Sequence, residues 1–267
     1  MNGQPSSIAV AFLARGADSG WYSSCDRFLR SYQRWISGVD HTLYIIFKGF
    51  SDEYTLNEAK DLFKCLDHIP IYLGDKNLDI GAYIEWANQI SEEIICVFNT
   101  MSEILTKNWL LKLFVNLTSP NVGLVGATGS YESLRKWHKN IPKFPNFHLR
   151  SNAFMIQRKL FCQITKGVLI TNKIDAFNFE SGPNSLTRQI IAMGREVLLV
   201  GRNGRGYSPM WWPLSDTYRQ GTQSNLLIGD NQTRDFAGFP LHGKRFVIRR
   251  TWGSYVRFDY LMSKKIR

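Results

Sequence analysis

Residues 97–113 read VFNTMSEILTKNWLLKL. An apolar run ends at Asn99-Thr100-Met101-Ser102, a turn of small polar groups, and a helix signal opens at Asn108-Trp109-Leu110. A short apolar run, a turn and a helical period together mark one βα unit of a parallel sheet. The same alternation extends on both sides. Upstream, SIAVAFLARG (7–16) is a strand ending in a turn, and Trp21, Phe28, Tyr32 and Trp35 follow at helical spacing, closing at Gly38. HTLYIIFKGF is a second strand, SDEYTLNEAKDLFKCL a helix opening on a Ser-Asp cap, HIPIYLGD a short strand, and NLDIGAYIEWANQI a turn leading into a helix. Downstream, NVGLVGATGS is again a strand. Such alternation predicts a mostly parallel α/β sheet with right-handed crossovers. Ligands of these sheets sit beyond the carboxyl ends of the strands, where this chain places Arg15, Lys48, Asp75, Asn99 and Gly129.

The second half is less regular. RKWHKNIPKFPNFHLR (135–150) reads as a long basic and aromatic surface loop, SNAFMIQRKLFCQI as a strand running into a helix, and NFESGPNSLTRQIIAMG as a capped helix closing at Gly194. REVLLVGRNGRGY is a strand followed by a basic, Gly-rich turn. Beyond about residue 205 periodic runs thin out, which divides the chain into a core at 1–204 and a basic, aromatic-rich extension at 205–267 expected to pack on it.

The 267 residues include 33 Lys and Arg against 22 Asp and Glu, a net charge of +11, so the chain attracts anions. Much of the excess lies in HGKRFVIRRTWGSYVRFDYLMSKKIR, which fits a solvated tail or a membrane-surface contact. Nucleic acid is the weaker partner, because no recognition motif accompanies the charge. No apolar stretch is long enough to span a bilayer, and MNGQPSSIAVAFLARG makes a poor signal peptide. Cys25, Cys65, Cys96 and Cys162 lack paired spacing, which excludes a disulfide framework or zinc motif and points to a reducing cytoplasm. His41, His68, His138 and His242 show no metal-ligand spacing.

In order along the chain, NLDIGAYIEWANQI, IICVFNTMSE, NWLLKL and NVGLVGATGS resemble the motifs of family-2-type glycosyltransferases of the GT-A fold. SNAFMIQRKLF is similar to that family's acceptor-side strand, and FNFESGPNSLTRQIIAMGREVLLVG to its catalytic-acid segment, helix and last strand. The likeness covers about residues 7–201, and the DIGAY turn also resembles proteins of rhamnan and O-antigen synthesis. The resemblance implies a nucleotide-diphosphate-sugar donor, a glycan or lipid-linked hydroxyl acceptor in polysaccharide or envelope synthesis, and inversion at the sugar. It also implies a cytoplasmic enzyme, with any membrane contact peripheral.

The family's turn after the fourth strand carries an aspartate for Mg²⁺ or Mn²⁺, but here Asn99 is followed by Thr100 and then Met101, whose thioether does not hold a hard cation. Three arrangements answer the loss. Glu103 supplies a ligand from the next turn; Arg15, Lys48 or Arg150 neutralises the diphosphate directly; or the site is degenerate and the fold only binds a nucleotide-sugar or glycan.

The donor-side candidates are Arg15, Lys48, Asn77, Asp79, Asn99, Thr100 and Gly129, with Asn77 and Asp79 expected to cap the following helix as well as bind. Glu180 matches the family's catalytic glutamate, Ser181 replaces the acid that follows, and Asp175 is the second candidate base. Read from its flanks, Glu180 precedes a helix whose dipole favours it. His148, Arg150 and Trp211 are the acceptor-side candidates.

Overall fold

The computed structural model describes residues 7–256. In chain order it contains β1 (Ile8–Arg15), α1 (Trp21–Arg34), β2 (Thr42–Lys48), α2 (Glu53–Phe63), β3 (Ile69–Leu73), α3 (Asp79–Ala87), β4 (Ile94–Phe98), β5 (Glu103–Ile104), α4 (Trp109–Leu117), β6 (Val122–Gly126) and β7 (Gly129–Ser130). There follow β8 (His148–Leu149), β9 (Ala153–Gln157), α5 (Arg158–Ile164), α6 (Lys173–Ser181), α7 (Leu186–Ala192), β10 (Glu196–Val200), β11 (Gly206–Tyr207), a 3₁₀ turn (Pro209–Leu214), β12 (Ile228–Gly229), α8 (Asn231–Gly238) and α9 (Leu241–Trp252). The expected mixed α/β architecture is what the chain adopts.

The described residues build an eight-stranded sheet in the order β11-β10-β6-β9-β4-β1-β2-β3. The neighbours β1–β2, β2–β3, β1–β4 and β6–β10 run parallel, while β9 lies antiparallel between β4 and β6. β1 as far as Ala14 and the whole of β4 are apolar and buried, as central strands covered on both faces must be. Pro70 sits in β3, the edge strand, where the missing amide costs no ladder bond on the open side. Side-chain alternation along β1 feeds two cores: Ala9, Ala11 and Leu13 face a cluster with Tyr83, Trp86 and Phe154, and Val10 and Phe12 face one with Phe28, Phe63, Phe98 and Trp109.

Chain order reverses direction about β1, with β2 and β3 on one side and β4 on the other, and such switch points open a crevice at the carboxyl ends. The reversed strand β9 brings its entry residue Asn152 to that same edge, where the Asn152 carbonyl accepts from the Asn99 amide at 3.0 Å.

The region after 205 holds more structure than its pattern predicts. β11 pairs with β10, and β12 pairs with β5. Asp230 caps α8 through a capping box with Thr233, and α9 buries Ile248, Thr251 and Trp252. Both helices are short or Arg-diluted, so their apolar stripe is weak in sequence. Trp212 and Trp252 are fully buried in the cluster that also holds Leu13 and Phe154, so this segment shares the core of the sheet. Residues 257–267, part of the basic stretch expected at a membrane surface, lie outside the described residues.

Candidate active site

The carboxyl ends of β1 to β3 carry a cluster of opposite charges. Arg15 donates to Asp18 at 2.6 Å and reaches both carboxylate oxygens of Asp75 at 3.2 Å. Lys48 is buried, donates from Nζ to the Gly74 carbonyl at 2.8 Å and lies 3.6 Å from Asp75. Asp79 is the first residue of α3, and burial, reinforced by the charge of Asp18, pushes its carboxyl up to about 6. The expected cap does not form: Leu78 occupies the cap position, and it makes no side-chain cap bond. Asn77 packs against Gly81, where a Cβ would overlap it. The two basic candidates here, Arg15 and Lys48, are therefore already committed to carboxylates.

The Met101 turn closes on itself. Asn99 Oδ1 accepts from the Met101 amide at 3.2 Å and lies 2.8 Å from Ser102 Oγ, which also lies 2.9 Å from the Asn152 carbonyl. Thr100 is buried with its hydroxyl unpartnered, as is the amide nitrogen of Asn152. The Met101 sulfur accepts from the Ser24 hydroxyl at 3.3 Å. From α8, Arg234 reaches the Met101 carbonyl with both terminal nitrogens at 3.3 Å and lies 3.4 Å from Glu103. Glu103, the expected substitute ligand, thus faces a guanidinium. Divalent ions of this kind require several hard oxygens, and the turn offers a thioether, a satisfied amide oxygen, one hydroxyl and a single carboxylate that faces a guanidinium. These residues do not fit Mg²⁺ or Mn²⁺. Among the described residues no group of three or more His, Cys, Asp or Glu side chains is placed to hold a metal.

A polar cleft of about 520 Å³ is lined among others by His148, Arg150, Glu180, Tyr218, Arg219 and Gln232. Glu180 occupies the last turn of α6, not the start of α7, so the helix dipole opposes its charge instead of favouring it. What holds the carboxylate is Ser151, whose amide and hydroxyl both donate to Oε2, at 2.6 and 2.5 Å. Ser181 turns back to the Phe177 carbonyl at 3.1 Å.

His148 is buried, and its Nδ1–H donates to the Asn146 carbonyl at 2.7 Å. Burial lowers its pKa against the opposing pull of Glu180, so the ring is neutral and Nε2 is left as an acceptor. Arg150 is pinned to the fully buried Asp230 at 2.7 Å and stacks 4.2 Å from the Tyr218 ring centre.

The remaining candidates sit elsewhere. Asp175 accepts from Thr171 and Asn172 as the return arm of the α6 capping box. Gly129 pairs with Leu149, and a Cβ there would meet the Trp212 ring at 2.8 Å; packing, not ligand access, demands the glycine. Trp211 is half exposed on the 3₁₀ turn and does not line the cleft. Asp230, Tyr218, Gln232 and Arg234 join the site without any signal in the sequence beyond the Asp-x-x-Thr cap spacing.

No family model matches the chain, and no curated protein matches it. Among solved structures it is similar to mannosyltransferase PcManGT from Pyrobaculum calidifontis, in complex with GDP-Man and Mn²⁺, at 11% identity and a TM-score of 0.49 over 73% of this chain and 55% of that one. The chain thus spans about half the length of that mannosyltransferase. It is similar to a 4-diphosphocytidyl-2C-methyl-D-erythritol synthase from Anaerococcus prevotii at 13% identity and 0.48, over 76% of this chain and 88% of that one. It is also similar to mouse xyloside xylosyltransferase 1 at 13% identity and 0.43, over 71% and 82%. A likeness of this size assigns neither substrate nor reaction.

Proposed function

We propose that the chain is a GT-A-type glycosyltransferase that moves a sugar from a nucleotide-diphosphate sugar to a hydroxyl acceptor. The observation that carries this is the frame joining Glu180 to the Met101 turn. Ser151 holds the carboxylate, and the next residue, Asn152, receives the Asn99 amide. The residues read here as proton acceptor and leaving-group site are thus linked through two adjacent residues, Ser151 and Asn152.

In this reading the base and ribose lie over the ends of β1 to β3 near Arg15 and Asp79, and the diphosphate lies over the Asn99–Ser102 turn. The acceptor enters the cleft against Tyr218, with neutral His148 orienting its hydroxyl. Glu180 takes the hydroxyl proton as the new C–O bond forms at the anomeric carbon. The bond from that carbon to the β-phosphate oxygen breaks, and the nucleoside diphosphate leaves. One carboxylate acting once suits inversion. The polar cleft suits a glycan acceptor of polysaccharide or envelope synthesis, and the net charge of +11 suits peripheral work at an anionic membrane face.

A second reading, a non-catalytic binder on the same fold, draws on Ser181 and Met101 standing where acids are expected. Product formation across a panel of UDP-, GDP- and dTDP-sugars with oligosaccharide acceptors, in Mn²⁺ and in EDTA, tests both. Turnover by wild type and its loss in Glu180→Gln supports transfer. Donor binding without turnover supports the binder, and neither binding nor turnover removes the transferase.

A further inference from the structure

We infer that the Arg234 guanidinium is the resident cation of the donor site, standing on the Met101 turn to neutralise the diphosphate where a divalent ion would otherwise sit. This rests on the transferase reading above. Arg15 and Arg150 are held by carboxylates at 2.6 and 2.7 Å, and Lys48 donates to the Gly74 carbonyl at 2.8 Å. Arg234 differs in how it is held. Its contacts to the Met101 carbonyl and to Glu103 are all 3.3 to 3.4 Å, long for charge-assisted bonds, so its donors are poorly satisfied. A planar fork with donors to spare matches a diphosphate.

Its position is nonetheless built. The Asp230 carboxylate is buried and bonds the Thr233 amide at 2.9 Å, while Thr233 Oγ1 accepts from the Asp230 amide at 2.7 Å. The same carboxylate anchors Arg150. The first turn of α8, with Arg234 on it, is therefore tied through Arg150 to the neighbouring Ser151, which holds Glu180. Burial and the nearby charge of Arg27 both work against the cation, a cost that a bound anion would relieve. Methionine at 101 completes the device. It brings no charge beside Arg234, whereas an aspartate there would pair with the guanidinium and cancel it.

The test is calorimetric binding of UDP, GDP, dTDP and CDP, each beside its monophosphate, in EDTA and in Mn²⁺. Wild type is expected to bind at least one diphosphate equally in both, and more tightly than its monophosphate. Arg234→Met should weaken the diphosphate by about ten- to a hundredfold, the range for losing a charged hydrogen-bond partner, with the monophosphate little changed. Arg234→Lys should fall between, and the exposed Arg30→Met on α1 should bind as wild type does. Met101→Asp should weaken metal-free binding with Arg234 present, and combined with Arg234→Ala it should make binding depend on Mn²⁺. Unfolding midpoints within a few degrees of wild type exclude misfolding as the cause. Wild-type binding abolished by EDTA, or diphosphate affinity unmoved by Arg234→Met, overturns the inference while leaving the transferase standing. If no nucleotide of the panel binds in either condition, the transferase reading falls and takes this inference with it.

Discussion

Glu180 and Asp79 are carboxylates whose settings lead to different tests. Glu180 lines the cleft and is held by two donors from Ser151. If it takes the acceptor proton, Glu180→Gln keeps the shape and lowers kcat by about 10²- to 10⁴-fold, with donor affinity unchanged, as read by steady-state kinetics and calorimetry. Asp79 is partly buried among Asp18, Arg15, Lys48 and Tyr83, and its pKa rises from 3.8 to about 6. Its folded pKa lies above the unfolded one, so folding takes up a proton between those values and stability falls as pH rises through 6. Asp79→Asn removes that penalty. The variant should gain up to about 3 kcal/mol at pH 8 over wild type, at roughly 1.4 kcal/mol per unit, with the gain fading towards pH 4 in denaturant titrations. An equal gain at both pH values would contradict the assignment. At residue level the sequence displayed Arg15 and Lys48 at strand ends and Asp79 at the head of a helix, but it could not show that the two cations are already spent on Asp18, Asp75 and the Gly74 carbonyl. Side-chain pairing across 60 residues leaves no local trace.

At the scale of elements, β9 and α8 organise the site. β9 runs against β4 and β6 and so delivers Asn152 and Ser151 to the carboxyl edge. α8 presents Gln232 to the cleft and Arg234 to the Met101 turn, and its geometry depends on the Asp230–Thr233 capping box. Thr233→Val keeps the volume but removes one arm of the box. It should lower stability by about 1 kcal/mol, the usual worth of a cap, and weaken metal-free diphosphate binding, because Arg234 is then less firmly placed. Gly129→Ala probes a different element, the β7–β8 pair covered by Trp212. A Cβ at 2.8 Å from that ring forces a shift, and overpacking of this kind costs about 1–3 kcal/mol, measurable as a lowered unfolding midpoint without change in the charged cluster. The strands up to β10 that are covered on both faces were legible because they are continuously apolar; α6 was not, and its last turn reads in sequence as the head of α7. α8 was not legible, because eight residues with two buried side chains, Thr233 and Phe236, leave no stripe to read.

For the whole molecule the excess of positive charge is the dominant property. α9 exposes Phe246 and Leu241 beside Arg249, an apolar and basic face of the sort that binds anionic headgroups. No helix among the described residues is long and apolar enough to cross a membrane. Co-sedimentation with phosphatidylserine-containing vesicles checks the peripheral contact. Binding should be strong near 0.01 M salt and largely lost by about 1 M, as the screening length shrinks from about 30 to 3 Å. Equal binding to neutral vesicles, or none to anionic ones, would remove it.

From the residues alone followed the alternation of strands and helices, the sheet edge proposed here for ligands, and the anomaly at Met101. Each is written in local periodicity or in one residue's chemistry. Tertiary structure decided what stands at that anomaly. Arg234, 133 positions away, arrives there because α8 returns over the carboxyl edge on a cap tied to Arg150. Contacts of that separation arise from topology and packing, on which short-range hydrophobic patterns carry no information.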